Sequence, residues 1–339
     1  MTTVGIVGGG IIGLAIGWRC ARLGLDVTVY DGQPAKASAV AAGMLAPTTE
    51  THPGERALRR LLGDSARRWP AFAAQLGGDV GYREEGTLLV AVTDDDLAEV
   101  RRLCARATTG TYPLAAAQLR DREPALSPRV RGGAFAPGDR QVDPRRVLAA
   151  LQARVKVEPR QVSDVSTIDA DIVVIAAGAA TASLTGLPIR PVKGQTVRLR
   201  APRPPVRHVI RGFVRSRSVY VVPRDDGELI IGATEEERGA DTTVTAGGVL
   251  DLLRPASELL PGIAEYEVTE VVAGLRPGTP DNAPYLGVLH DNVIVAAGHH
   301  RNGVLLAPVT ADAIATLVAT GVPPAEITPF RPTRGVLCA

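Results

Sequence analysis

Three glycines near the N-terminus carry the first recognisable chemistry. Residues 4–13 read VGIVGGGIIG, a short apolar strand that turns through glycine into a helix. Gly8, Gly10 and Gly13 fit G-x-G-x-x-G. The first permits the tight turn, the second lets a pyrophosphate approach the backbone, and the third lets helix and strand pack closely. The N–H groups and positive dipole end of the new helix then face that pyrophosphate. Asp31 closes the next alternating stretch, DVTVYD, near the spacing of about 20 residues at which a carboxylate meets the ribose hydroxyls of an adenosine. In a chain with 36 glycines the glycine pattern alone is weak; the β-α-β context around it decides for a nucleotide.

A second candidate site lies near the C-terminus. Residues 292–298, NVIVAAG, read as a buried strand, HHRNG as a turn, and residues 304–320 as a helix of apolar and small residues. Asn302, Gly303 and Val304 thus fall at a helix N-terminus, where backbone N–H groups stabilise negative charge on a ligand. His299 and His300 are adjacent rather than four apart, and no other ligand types accompany them, so no metal site is expected and backbone contact with a ligand is the better reading.

These residues need elements to position them. Residues 11–23 carry a helical stripe (Ile11, Ile12, Ala15, Ile16, Leu23) with Gly24 as C-cap. Residues 170–178, ADIVVIAAG, form a continuous apolar strand of the buried parallel kind. Its carboxyl end puts Ala177 and Gly178 where such sheets bind ligands. Residues 35–47, AKASAVAAGMLAP, are small side chains around one long polarizable group, Met44. The stretch suits either a strip laid against a flat ligand or a helix packed closely on its neighbour. Residues 55–75 have helical spacing, 85–92 and 132–137 read as strands, and 96–107 as a charged helix. Asp143 and Pro144 cap a helix over 145–154. Strand texture returns at 191–200, 218–223, 228–234 and 265–273, enough for a mostly antiparallel second lobe interleaved with the first.

Bulk properties narrow the class. A chain of 339 residues with 45% hydrophobic and 22% charged residues describes a globular protein with a sizeable core. A formal charge of +2 argues against nucleic acid or an anionic membrane as partner. Lys36, Lys156 and Lys193 are the only lysines, so the arginine excess reflects composition more than function. Cys20, Cys104 and Cys338 are scattered and suit a reducing compartment, so the protein is expected to be cytoplasmic. No apolar run is expected to reach the roughly 18 residues of a membrane span.

Several further stretches, taken together, are specific: AAGMLAP at 41–47, VKGQ at 192–195, YVVPR at 220–224, GAT at 232–234, AGLRPGTPDNAPYLG from Ala273 and AAGHHRNGVLLAP from Ala296. With GIVGGGIIGL they resemble the D-amino acid oxidase family of FAD-dependent oxidoreductases, and within it the glycine oxidases, over nearly the whole chain. The resemblance implies an α/β fold: a Rossmann-like FAD-binding domain (1–77, 142–191 and 274–335) and an interleaved substrate domain on a mostly antiparallel sheet (78–141 and 192–273). It implies noncovalent FAD. Gly8, Gly10, Ile11, Ile12 and Gly13 would face the pyrophosphate and Asp31 the ribose. Ser38, Ala41, Ala42, Gly43, Met44, Val162, Ala177 and Gly178 would line the cofactor, and His299, Arg301, Asn302, Gly303, Val304 and Leu305 its pyrimidine end.

By the same resemblance Arg276, set between Gly274 and Pro277 just beyond a strand, would hold a substrate carboxylate, with Tyr220 adding a hydroxyl. Ser218, Arg301 and Met44 would complete the substrate pocket. The implied reaction is oxidative deamination of glycine or a small amine or amino acid by hydride transfer to flavin. It would give an imine, then glyoxylate, ammonia and hydrogen peroxide, with oxygen as acceptor and no dedicated protein base. A link to thiamine biosynthesis with a thiazole synthase as partner, and a homo-oligomer, are also implied. The alternatives are a D-amino acid or sarcosine-type enzyme of the same mechanism, or a flavin-binding protein without turnover. Ser218 and Glu235 depart from the glycine oxidase pattern, so glycine itself is less fixed than the reaction class.

Overall fold

The computed structural model describes residues 1–32, 36–49, 54–107 and 110–334, with only the backbone of Arg106. Ala35, Cys338 and position 335, used in the sequence reading, lie outside the described residues. The chain opens with β1 (Thr3–Val7), α1 (Ile11–Arg22), β2 (Asp26–Tyr30), one turn of helix α2 (Ala37–Val40), the short β3 (Met44–Leu45) and the long α3 (Arg56–Leu76). It crosses to β4 (Thr87–Ala91), α4 (Asp94–Arg106), β5 (Tyr112–Ala115), α5 (Ala116–Arg122), β6 (Gly132–Ala136) and β7 (Arg140–Gln141). It returns through α6 (Pro144–Gln152), β8 (Lys156–Glu158), β9 (Ile172–Ile175) and α7 (Thr181–Thr185). A second excursion builds β10 (Arg190–Arg200), β11 (Val209–Val214), β12 (Arg217–Pro223), β13 (Glu228–Gly232), α8 (Ala246–Leu259) and β14 (Glu267–Gly278). β15 (Tyr285–His290), β16 (Val293–Ala297) and α9 (Gly303–Thr320) follow.

Two sheets result. The six-stranded sheet has the order β15-β16-β9-β1-β2-β8 and is parallel except at the β15–β16 edge. β1 and β9 are buried on both faces, which is why their sequences are continuous apolar runs rather than alternations. The eight-stranded sheet, β14-β10-β13-β12-β11-β4-β6-β5, is antiparallel except where β11 runs alongside β4. Positions 191/192 and 273/274, expected as domain boundaries, fall inside β10 and β14, both strands of the eight-stranded sheet.

The core of the first region is α9, whose Leu306, Val309, Ile314 and Leu317 pack among α1 and α3 residues such as Ile16, Leu62, Trp69 and Phe72. Burying each such side chain is worth about 1.5–3 kcal/mol. Among the described residues 300–320 form one helical stretch long and apolar enough to cross a bilayer, contrary to the sequence expectation. Arg301 and Asp312 break the apolar run without lowering its mean hydropathy enough to disqualify it, and 72% of it is buried inside the protein, as a core helix must be.

The sequence predicts a strand ending at Ala273 before Arg276; in the structure β14 continues to Gly278. Gly274 and Pro277 looked like terminators. β14 lies at the sheet edge and pairs only with β10, so a proline there costs no ladder bond on the open side.

Candidate active site

One cavity of about 1010 Å³ runs from the β1–α1 turn to Ser218 and Tyr220 of β12 and residues 273–277 of β14. At its first end Gly8 has φ 114, and a Cβ there would sit 2.7 Å from the Ala176 carbonyl carbon, so the turn admits only glycine. Gly13 lies off the cavity wall, where a Cβ would meet the Gly8 carbonyl carbon at 3.1 Å; its work is the close packing of α1 on β1. Gly10 caps α1 without any side-chain hydrogen bond, leaving the helix N-terminus to whatever occupies the turn, while Ile11 N donates to Ser38 Oγ at 3.2 Å. Asp31 stands on the wall beside Lys36, whose Nζ is 2.5 Å from its carboxylate.

The small-residue stretch resolves both of its possible readings. Residues 37–40 form the one-turn helix α2, then 41–43 run extended into β3, and Ala41, Ala42, Gly43 and Met44 line the cavity. Arg224, buried behind that strip, donates to the Ala42 carbonyl at 2.5 Å and to Gln141 Oε1 at 2.7 Å; Gln141 in turn pairs with Met44 across β3 and β7. Burial pulls the Arg224 guanidinium down to about 10, although Asp143 opposes the shift. Val162, Ala177 and Gly178 complete this part of the wall.

At the other end β12 and β14 bring Ser218, Tyr220 and Arg276 to the same cavity. Arg276 Nη1 donates to the Thr234 carbonyl at 3.0 Å, which anchors one end of the guanidinium. Two glycines make room: a Cβ on Gly194 would sit 2.5 Å from Arg276 Cζ, and one on Gly232 would sit 2.5 Å from Tyr220 Cζ. Both side chains therefore lie flat across neighbouring strands. Met44 and Tyr220 pack on the same apolar cluster, Ala42, Val209, Val222 and Ile230, which joins the strip to the Arg276 end.

The 300–302 turn and the start of α9 divide the residues expected there. His299, Arg301, Gly303 and Val304 line the cavity. Asn302 and Leu305 do not: Leu305 is a core residue whose carbonyl accepts from Ser65 Oγ at 2.6 Å and Trp69 Nε1 at 3.0 Å. The His299 imidazole is engaged with Thr310, Nε2 to Oγ1 at 3.1 Å, and burial pushes it down to about 3, so it is neutral.

His300, expected from the sequence only to offer backbone contact, lines the cavity, as do Thr49 and Arg211, for which the sequence gives no expectation. Arg211 stands opposite Tyr220 on β11 and its guanidinium donates to the Thr49 carbonyl. Thr49 Oγ1 in turn donates to the fully buried Asp139 at 2.9 Å. The period-2 alternation that put Ser218 and Tyr220 on one face of β12 would have placed Arg211 and Phe213 beside them, had β11 been recognised.

The pattern of the DAO family, FAD dependent oxidoreductase, matches residues 3–317. The chain belongs to that family. A bifunctional protein ThiO/ThiG of Trichormus variabilis is 36% identical, covering 92% of this chain and 52% of the relative, so the chain spans about half the length of that curated relative. A glycine oxidase of Geobacillus kaustophilus is 33% identical over 98% of this chain and 97% of its own. The crystal structure of glycine oxidase from Geobacillus kaustophilus superposes with a TM-score of 0.89, covering 98% of this chain and 99% of that one. The iminodiacetate oxidase structure from Chelativorans sp. BNC1 is 25% identical with a TM-score of 0.85, covering 97% of this chain and 98% of that one.

The DAO family's cofactor is FAD, and the residues present fit it. The glycine turn with an uncapped helix N-terminus suits a pyrophosphate, and the Asp31 carboxylate suits ribose hydroxyls. At the far end the cavity-lining His300 has both buried ring nitrogens without a hydrogen-bond partner, next to the α9 N-terminus, which has no side-chain cap. Among the described residues no cluster of His, Cys, Asp and Glu could hold a metal ion.

Proposed function

We propose that this DAO family member is an oxidase of glycine or a similarly small amino acid. The observation that carries the reading is the single cavity: it joins a dinucleotide cradle at one end to an arginine and a tyrosine held on one wall at the other. The names of the 33–36% identical relatives support glycine in particular.

Bound in the cavity, FAD supplies the two-electron acceptor for oxidation of the substrate's C–N bond. The chain's own work is placement and electrostatics. Arg276, fixed through Nη1 on Thr234, turns its planar fork to the substrate carboxylate in two parallel hydrogen bonds, which sets orientation as well as charge. Tyr220 adds its hydroxyl to the same carboxylate. Both cavity histidines are held neutral by burial, His300 also by the Arg301 charge, so neither adds positive charge where the amine must sit as the free base. The α9 N-terminus favours negative charge at its end of the cavity. With the amine nitrogen lone pair available, two electrons and two protons leave the substrate, and water converts the imine to an α-keto acid and ammonia. No side chain needs to act as base.

Because a bifunctional relative joins ThiO to ThiG in one chain, a place in thiamine biosynthesis, with a thiazole synthase receiving the glycine-derived imine, follows as part of this reading. The experiment is a peroxide assay with glycine, sarcosine and D-alanine on wild type and Arg276→Ala. Glycine should be a good substrate, and the variant should lose productive turnover while keeping its flavin spectrum. D-Alanine outpacing glycine by orders of magnitude would move the assignment to a D-amino acid oxidase.

A further inference from the structure

The wall around Arg276 carries more charge than one carboxylate requires. Arg276 is anchored on the Thr234 carbonyl, and the next residue, Glu235, places its own carboxylate on the cavity wall with Oε1 3.8 Å from His300 Nε2. The Glu235 side chain is 60% exposed, so it faces the open part of the cavity rather than packing into the wall. His300 is the converse. Its side chain is 3% exposed, neither ring nitrogen has a protein hydrogen-bond partner, and its backbone φ is 48.

A buried imidazole with both nitrogens unmet is costly unless a ligand meets them. Desolvation and the nearby Arg301, Arg276 and Arg190 charges hold the ring neutral against the opposing pull of Glu235, so His300 offers one donor and one acceptor and no cation. Arg190 is itself paired with Glu237. The corner thus holds a cation for one carboxylate with an exposed anion on the same wall.

We propose that Glu235, with His300 beside it, is a specificity-determining pair that admits amino acids whose single carboxylate sits on Arg276 and turns away substrates with a second carboxylate. The proposal rests on the oxidase reading for its biological meaning but not for its test. A second carboxylate reaching past Arg276 meets the Glu235 charge. The countercharge that could capture it instead is Arg301, also on the cavity wall. Like charges at a half-exposed site repel modestly, and the effect shrinks with salt.

The test uses FAD-loaded enzyme. Acetate and malonate, neither of which is an amine, are titrated against the visible spectrum of the bound flavin for wild type, Glu235→Gln and Glu235→Asp. The malonate-to-acetate Kd ratio should fall by about fivefold in Glu235→Gln at low salt and less at high salt, and should hold in Glu235→Asp. The kcat/KM ratio of iminodiacetate to glycine should rise in Glu235→Gln in the same sense. A Kd ratio unmoved by Glu235→Gln, a wild type that holds malonate more tightly than acetate, or a spectrum that acetate does not perturb would each overturn the proposal. If no amine yields peroxide, the oxidase reading falls, while the carboxylate titration still decides this one.

Discussion

Replacing Gly194 with alanine moves the Arg276 guanidinium without removing its charge. The new Cβ would sit 2.5 Å from Arg276 Cζ, whereas ordinary contact begins at 3.4 Å. The guanidinium must therefore retreat by about 1 Å, and misplacement on that scale costs about 100-fold in a well-positioned reaction. The lost alignment of a charge-assisted pair, about 1.5–3 kcal/mol, gives a similar figure. Because the carboxylate is held in both the ground state and the transition state, most of the loss should appear in KM. The methyl group presses on the far end of a flexible side chain, so folding should survive. The assay is steady-state peroxide release with glycine, with the flavin spectrum and Tm as controls. A Gly194→Ala variant with normal spectrum, normal Tm and wild-type KM would refute the placement of Arg276 at the substrate.

Arg224→Met should free the strip 41–44 by removing the bonds to the Ala42 carbonyl and Gln141. At about 1.5–3 kcal/mol per bond to a charged group, FAD affinity of the stripped protein should fall at least about tenfold; unchanged binding in a fluorescence titration would show that the strip is held by other contacts. Asp139 is buried and pushed up from 3.8 to about 6 by desolvation, against the bonds from Thr49 and Thr48. Its raised folded-state value means that the folded protein holds this proton more tightly, so stability is lost as pH rises from about 4 to about 6, by about 3 kcal/mol. Asp139→Asn, which stays neutral, should flatten that decline in a Tm series; an unchanged slope would remove Asp139 as its cause.

The nucleotide end was legible because its demands are local. A glycine in a positive-φ turn, a helix whose N-cap residue has no side chain and a carboxylate after the second strand fall close together along the chain, and the sequence shows them directly. The β11–β12 hairpin was not legible. Its turn, Arg215 and Ser216, adopts φ of 52 and 67 without glycine or asparagine, because the Asp96 carboxylate accepts from both backbone N–H groups at 2.9 and 2.8 Å. That support comes from α4, far away in sequence, so neither β11 nor Arg211 announced itself. Helix α8 was hidden by Gly247, Gly248 and Pro255; Gly248 is there because a Cβ would meet Gln195 Cδ at 2.5 Å. At the second site, being near a helix N-terminus did not say which side chains face inward. His299 turns to Thr310, Leu305 enters the core, and His300 is left on the cavity wall.

If this cavity brings a small amino acid, held by Arg276, against bound FAD, glycine must reduce the flavin directly. Anaerobic titration of the FAD-loaded protein with glycine tests it most directly, since it depends on neither oxygen nor product release. Glycine should bleach the flavin absorbance in wild type and fail to do so at the same concentrations in Arg276→Ala, whose oxidised spectrum is unchanged. A wild-type spectrum that no small amine bleaches, or equal bleaching in the variant, would contradict it.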